Sequence, residues 1–397
     1  MINSFRRLFF VLRCRGMLQR CLQSFFFVLS LFFFFVVDFQ SARAQAVPSL
    51  NGIRFDEETG DVIFVAVGHV YGRLENTTLP YSEYPAVTLL ANQKVFADPD
   101  IDFVMLLGDI VHKANEKQFR LLASSFLNAL SRPVFNAVGN HELQNREVYT
   151  ERFGKTFFTF QRGDALFVVL DGELDHGLLI GEQKQMFFES IRLAQSDDVR
   201  FLVLFSHKVL WNSQYFAGSQ TERDAVQKEF SDTLLPALLQ LPRSKSVLWF
   251  AGDYLFPLVH EAGPRPGMHF FTLGLREDAT DLALRVTLPT QGEPAFQPIS
   301  LSENPTYDIS TYTTDFWLDW YRRQYPNPSS PTDPYWFLQQ PQNLRSFFRD
   351  LFFNLYTFVA LIFGIFFGVL LFCFAVFLSH RILRYWWRCK DDSLHKK

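Results

Sequence analysis

Between residues 61 and 290 short apolar runs alternate with amphipathic stretches. The runs Val62–Val67, Phe103–Leu107, Val134–Val138, Leu166–Leu170, Phe201–Phe205, Val247–Ala251, His269–Leu273 and Leu282–Leu288 predict strands. Several are apolar throughout, as strands buried on both faces are. Glu83–Phe96, Glu116–Leu130, Gly181–Gln195 and Glu222–Leu241 predict helices between them. Strands and helices in this alternation predict a layered α/β domain over residues 61–290, reached by a linker at 45–60. Residues 291–350 differ: Pro is frequent and Trp317, Trp320 and Trp336 are interspersed, which reads as a stalk or packed extension.

The two ends carry longer apolar runs. Five arginines (Arg6, Arg7, Arg13, Arg15, Arg20) precede an apolar run from Phe25 to Val37, and small residues follow at Ala42 and Ala44. Residues 1–44 therefore read as a signal peptide cut after Ala44, or as an uncleaved anchor. Leu355 to Leu378 holds 24 residues without a charge, long enough at 1.5 Å per residue for a bilayer core of about 30 Å. One C-terminal transmembrane helix over 355–378 is expected. Six Lys/Arg follow it in the tail at 379–397, which places the tail in the cytoplasm and the body outside. The Ala-Arg-Ala-Gln junction favours a periplasmic face over a eukaryotic lumen. Of the 47 Phe, 22 lie in residues 1–40 and 347–378, so the aromatic content speaks mainly of membranes.

Charge separates the same regions. Residues 1–44 and 351–397 are basic, and the overall net charge of −3 conceals a net of −12 in the middle. Such a body does not draw nucleic acid to itself, and a phosphate ligand would need local cations or metals. The four cysteines (Cys14, Cys21, Cys373, Cys389) all lie outside the body, which can hold no internal disulfide.

Five strand runs end in polar residues of one kind. They lead into Gly68-His69, Gly108-Asp109-Ile-Val-His112, Gly139-Asn140-His141-Glu142, Ser206-His207 and Gly252-Asp253. In open α/β sheets ligands bind beyond the carboxyl ends of strands. Asp, Asn and His converging there form an O/N donor set suited to Mn, Fe or Zn.

In these motifs and their order the chain resembles the calcineurin-like metallophosphoesterases, over roughly residues 60–290. Gly108-Asp109 and Gly139-Asn140-His141-Glu142 match the family pattern fully. The resemblance implies a β-sandwich flanked by helices and one or two divalent ions that activate water for in-line attack on phosphorus. It implies Asp109 as the shared metal-binding carboxylate, Asn140 and His207 as further ligands, and His141 as the acid for the leaving group. Two positions depart from the pattern. The D-x-H Asp is Val67, leaving His69 alone, and G-H-x-H reads Gly252-Asp253-Tyr254-Leu255. Asp253 then stands as a substitute ligand, and His112 as a possible replacement in the half-empty first site.

The resemblance thus supports two expectations. One is a membrane-anchored phosphoesterase acting on a phosphomonoester or phosphodiester, a small molecule or a phospholipid head group. The other is an impaired relative serving as an extracytoplasmic binding or scaffold domain, for which Val67, Asp253 and Leu255 speak.

Overall fold

The apolar runs pair into two sheets. In the computed structural model, which describes residues 48–55, 60–71, 83–213, 219–253, 256–302 and 304–324, eleven strands are formed among those residues. The first sheet has the order β11-β10-β1-β2-β3, with β1 Val62–Val67, β2 Phe103–Leu106, β3 Val134–Asn136, β10 Leu282–Leu288 and β11 Ala295–Ser300. The second runs β4-β5-β6-β7-β9-β8, with β4 Phe158–Arg162, β5 Ala165–Val169, β6 Phe201–Ser206, β7 Ser246–Ala251, β8 Leu258–Ala262 and β9 Met268–Leu273. The centre of each sheet is parallel. Antiparallel strands close the edges: β10 and β11 on the first sheet, β4 and β8 on the second.

Alternation along the strands sorts the side chains into layers. One face of each sheet turns to the other sheet and is largely phenylalanine. Phe64 of β1 meets Phe167, Phe205 and Phe250 of the second sheet edge-on, at 5.9, 5.6 and 5.7 Å between centroids. Phe103 of β2 meets Phe160 and Phe167 at 5.6 and 5.2 Å. Edge-to-face pairs of this kind add roughly 0.5–1.5 kcal/mol each beyond their area burial. The aromatic content is therefore a property of the sandwich core as well as of the terminal segments.

The opposite faces carry the aliphatic residues and receive the helices. Val65, Val67, Val104 and Leu106 pack with Phe119 and Leu122 of α3 (Glu116–Ser125) and with Tyr149 and Phe153 of α4 (Arg146–Phe153). Leu166, Val168, Leu204 and Trp249 pack with Phe187 and Ile191 of α5 (Gly181–Ala194), Val226 of α6 (Gln220–Glu229) and Leu238 of α7 (Leu235–Leu239). The result is a helix–sheet–sheet–helix stack, the layered α/β fold expected.

Several boundaries differ from expectation, each for a local reason. The helix expected over Glu83–Phe96 begins only after Pro85 and divides into α1 (Val87–Ala91) and α2 (Gln93–Phe96) at Asn92. The Asn92 amide there donates to Thr88 O and Leu301 O. The helix expected over Glu222–Leu241 widens to a π turn at Phe230–Leu234, just before Pro236. Proline has no N–H for the ladder, and the wider turn takes up the mismatch. The sheet also runs past residue 290, because β11 pairs along β10 from Thr287↔Ala295 to Leu282↔Ser300. Within the Pro-rich extension α8 (Thr314–Gln324) buries Trp317 and Tyr321, and the Trp317 indole donates to Leu258 O of β8 at 2.6 Å.

The expected signal peptide, linker residues 45–47 and 56–59, residues 325–350 of the extension, the transmembrane helix and the basic tail lie outside the described residues, as do Tyr254 and Leu255. Among the described residues no helix is long and apolar enough to cross a membrane.

Candidate functional site

Five strands deliver their carboxyl ends to one place, and backbone hydrogen bonds join those ends directly. His69 N–H, just after β1, donates to Gly108 O at 3.1 Å. Val70 and Tyr71 N–H both donate to Asp109 O, at 2.8 and 3.0 Å. Within the second sheet, Gly252 and Asp253 N–H, just after β7, both donate to His207 O, just after β6, at 2.9 and 2.8 Å. This approach demands glycine at two points. A Cβ on Gly252 would run into Leu107 O, and one on Gly108 (φ +82°) into the His207 ring. Two residues with side chains adopt the left-handed conformation here, His69 at φ 51° and Asp109 at φ 53°. Such strain costs roughly 1–3 kcal/mol per residue and persists where surrounding bonds enforce it.

The strained turns aim their side chains at a common point. Three histidines surround the Asp109 carboxylate. His207 Nε2 lies 3.4 Å from Oδ1, while His69 Nε2 and His141 Nε2 lie 3.6 and 3.9 Å from Oδ2. The depth is graded: the His207 side chain is 0% exposed, Asp109 4%, His141 19% and His69 33%. Asn140 is exposed beside His141, whose backbone N–H donates to Asp109 Oδ1 at 3.2 Å. The site is thus floored by His207 and open along His69, Asn140 and His141.

Glu142 holds this floor in shape. It is fully buried, and its two oxygens accept four backbone N–H bonds: Asp109 (2.9 Å), Ile110 (2.7 Å), Val111 (3.2 Å) and Gly139 (2.8 Å). One side chain therefore ties the turn after β2 to the turn after β3. Burial and the nearby Asp109 carboxylate push Glu142 up, to about 8, against the pull of those N–H donors. His207 Nδ1 bonds Leu107 O at 2.7 Å; since a carbonyl only accepts, Nδ1 carries hydrogen and Nε2 is the atom turned to Asp109. Burial alone lowers His207. The carboxylates of Asp109, Asp253 and Glu173, with the Leu107 carbonyl, outweigh it and hold His207 at about 9. Burial dominates at His69, which it lowers against the pull of Asp109.

The donor chemistry fits a divalent cation in pairs. His207 Nε2 is buried and has no hydrogen-bond partner, though a carboxylate oxygen faces it. Two ligand atoms about 2.1 Å from one cation stand roughly 3.0–3.4 Å apart. The Asp109 spacings of 3.4 Å to His207 and 3.6 Å to His69 are close to that, and they involve different carboxylate oxygens. Among the described residues no group of three or more His, Cys, Asp or Glu closes on one centre.

The structure brings Asp109, His69, His141 and His207 together. Asp253 arrives through its N–H on the His207 carbonyl, and its charge acts on both His207 and His69. Val67, at the position of the missing Asp, is wholly buried in the aliphatic layer against the helices and offers the first half-site nothing. His112 lies against Tyr71 and His141, at 5.5 and 5.2 Å between centroids, with its Nδ1 buried and unpartnered. Burial lowers it, and His141 adds to the effect.

Two features escaped the sequence reading. Tyr71 stands between His69 and His141, with centroids at 4.4 and 4.7 Å. Its only sequence signal is an aromatic two positions past His69 in a strand-end loop. Glu173 follows β5 and pairs with Lys208 at 2.8 Å, each 10% exposed, within the field of His207 and Asp253. Neither belongs to a recognisable motif.

With this geometry in place, comparison assigns the class. Residues 59–255 match the family model described as calcineurin-like phosphoesterase. The chain carries a calcineurin-like phosphoesterase domain, and its class is that of hydrolases acting on phosphate esters. Solved structures are similar to it, among them the following two. A dimetal phosphatase from Danio rerio is 15% identical, covering 62% of this chain and 100% of that one, with a TM-score of 0.45. The purple acid phosphatase PPD1 from yellow lupin (Lupinus luteus) is 12% identical and covers 64% of this chain, with a TM-score of 0.42; this chain spans 53% of its length. No curated protein matches the chain.

Proposed function

We propose that this chain is a metal-dependent phosphoesterase that hydrolyses a phosphomonoester or phosphodiester. The observation that carries the reading is the meeting of His69, His141 and His207 around the Asp109 carboxylate at the ends of separate strands. Asp109, Asn140, His207 and Asp253 would hold one cation, and Asp109 with His69 the weaker second. Mn, Fe and Zn suit this donor set. A bound divalent ion supplies Lewis acidity toward the phosphoryl oxygens and acidifies water.

The chain's own residues do the rest. Asp109 and Asp253 supply the negative charge that attracts cations into an otherwise acidic body. Glu142 holds Asp109 at its strained angle through the N–H of Asp109 itself. His141, on the open side, gives the proton of its imidazolium form to the departing alkoxide oxygen, a contribution of about 10²–10⁴-fold in such reactions.

The placement of this activity is also proposed. The uncharged run Leu355 to Leu378 with its basic tail, and the basic N-terminal segment, favour a membrane-anchored body facing the periplasm and a cytoplasmic C-terminus. Head groups of phospholipids then lie among the phosphate esters within reach. A tag after Lys397 that proved accessible from outside intact cells would overturn the orientation.

The activity is tested on the purified full chain with p-nitrophenyl phosphate and bis(p-nitrophenyl) phosphate plus added Mn²⁺. Turnover should fall at least about 100-fold in His141→Ala. Turnover no higher than in an Asp109→Asn, His141→Ala double variant would leave the scaffold reading in its place.

A further inference from the structure

We infer that Tyr71 is a positioning residue for His141, a role that rests on the phosphoesterase reading. The two His141 ring nitrogens have different partners. His141 Nδ1 lies 2.7 Å from the backbone carbonyl of His112. A carbonyl only accepts, so Nδ1 carries a hydrogen and points away from the reacting centre. Nε2 is left facing Asp109 Oδ2 at 3.9 Å, beyond hydrogen-bond reach, and the Tyr71 phenol at 3.4 Å. In the neutral imidazole Nε2 accepts from the phenol O–H, and in the imidazolium form that acts as acid Nε2–H donates to the phenol oxygen, so the contact holds in both states. The contact is long, as catalytic hydrogen bonds often are before substrate binds.

Tyr71 is well placed to impose an orientation. Its N–H donates to Asp109 O, tying it to the strained turn at the centre of the site. Its ring is wedged between those of His69 and His141 and stands edge-on to His112 at 72°. The His141 ring is thereby fixed from two sides, by a carbonyl at Nδ1 and a phenol at Nε2. The first sets the tautomer and the second the aim of the nitrogen that meets the leaving group.

Tyr71→Phe keeps the ring and removes the O–H. Two readouts separate this inference from the phosphoesterase reading. In ¹⁵N NMR spectra of the full chain, taken without substrate, the His141 Nε2 resonance should move in Tyr71→Phe while His141 Nδ1 stays protonated. In kinetics, kcat should fall roughly tenfold with KM nearly unchanged, and Tyr71→Phe should add nothing in a His141→Ala background. Should Tyr71→Phe fail to fold, fluorotyrosine at position 71 preserves shape and O–H while changing the donor, and should move the same resonance. An unmoved Nε2 resonance overturns the inference, as does an equal kinetic loss with and without His141. A chain that hydrolyses nothing overturns the phosphoesterase reading, and the resonance still decides the Tyr71 contact.

Discussion

His207 Nε2 and Asp109 Oδ1 face each other at 3.4 Å, both buried, while the other nitrogen of the same ring bonds Leu107 O across the sandwich. One imidazole thus joins the end of β6 to the end of β2 and supplies the charge partner of Asp109. His207→Ala should cost about 3–5 kcal/mol, the usual result of leaving one member of a buried ion pair alone. Urea unfolding of the metal-free chain checks this. A loss below about 1 kcal/mol would mean that the pairing has little structural weight.

Glu142→Gln tests the clasp between two turns. Above pH 8, where Glu142 is ionised, the amide offers one acceptor oxygen in place of the carboxylate's two, and sets an NH₂ against backbone donors at Asp109 or Ile110. Each stranded buried donor costs about 1–3 kcal/mol. The urea midpoint should drop by the equivalent of at least about 2 kcal/mol, and His69 and Asp109 should lose their left-handed backbone in a crystal structure of the variant.

Phe64 tests the aromatic layer. It touches three rings of the opposite sheet. Phe64→Ala should destabilise by about 3–5 kcal/mol, and Phe64→Leu by distinctly less because most of the volume is kept. Thermal or urea unfolding of the pair measures the difference.

Acid stability should depend on His260, away from the site. Its Nε2 lies 3.0 Å from His269 Nδ1. Burial, with a smaller push from His269, lowers His260 to about 4. An unfolded histidine titrates near 6.5, so the unfolded chain takes up a proton first. The contribution of His260 is therefore complete above about 6.5 and is lost as the pH falls toward 4. Stability measured from pH 8 to 4 should decline less steeply in His260→Gln than in the parent over that window. Parallel curves would contradict the assignment.

How much of this was legible in the sequence follows from what each residue answers to. The eight expected strands all formed because their mainly apolar runs can be buried only between layers. The strand-end motifs were legible because Asp109 and Asn140-His141-Glu142 each follow a glycine that the turn requires. β4 was missed because Phe158–Arg162 is a short edge strand with polar residues at alternate positions, and β11 because Pro298 demotes the pattern. α8 was hidden by the prolines around it, though Trp317 and Tyr321 stand one turn apart on its buried side. Tyr71 was illegible in principle. Nothing local marks an aromatic that gains its role from histidines 2, 41 and 70 positions along the chain.

Metal binding tests the central claim most directly. Mn²⁺ and Zn²⁺ titrated by calorimetry into the full, chelator-stripped chain should bind with at least one ion per molecule. Asp109→Asn should abolish that binding, and His69→Ala should weaken or remove only the second of two steps. A parent chain that takes up no ion, or one that binds as well in Asp109→Asn, would contradict the account.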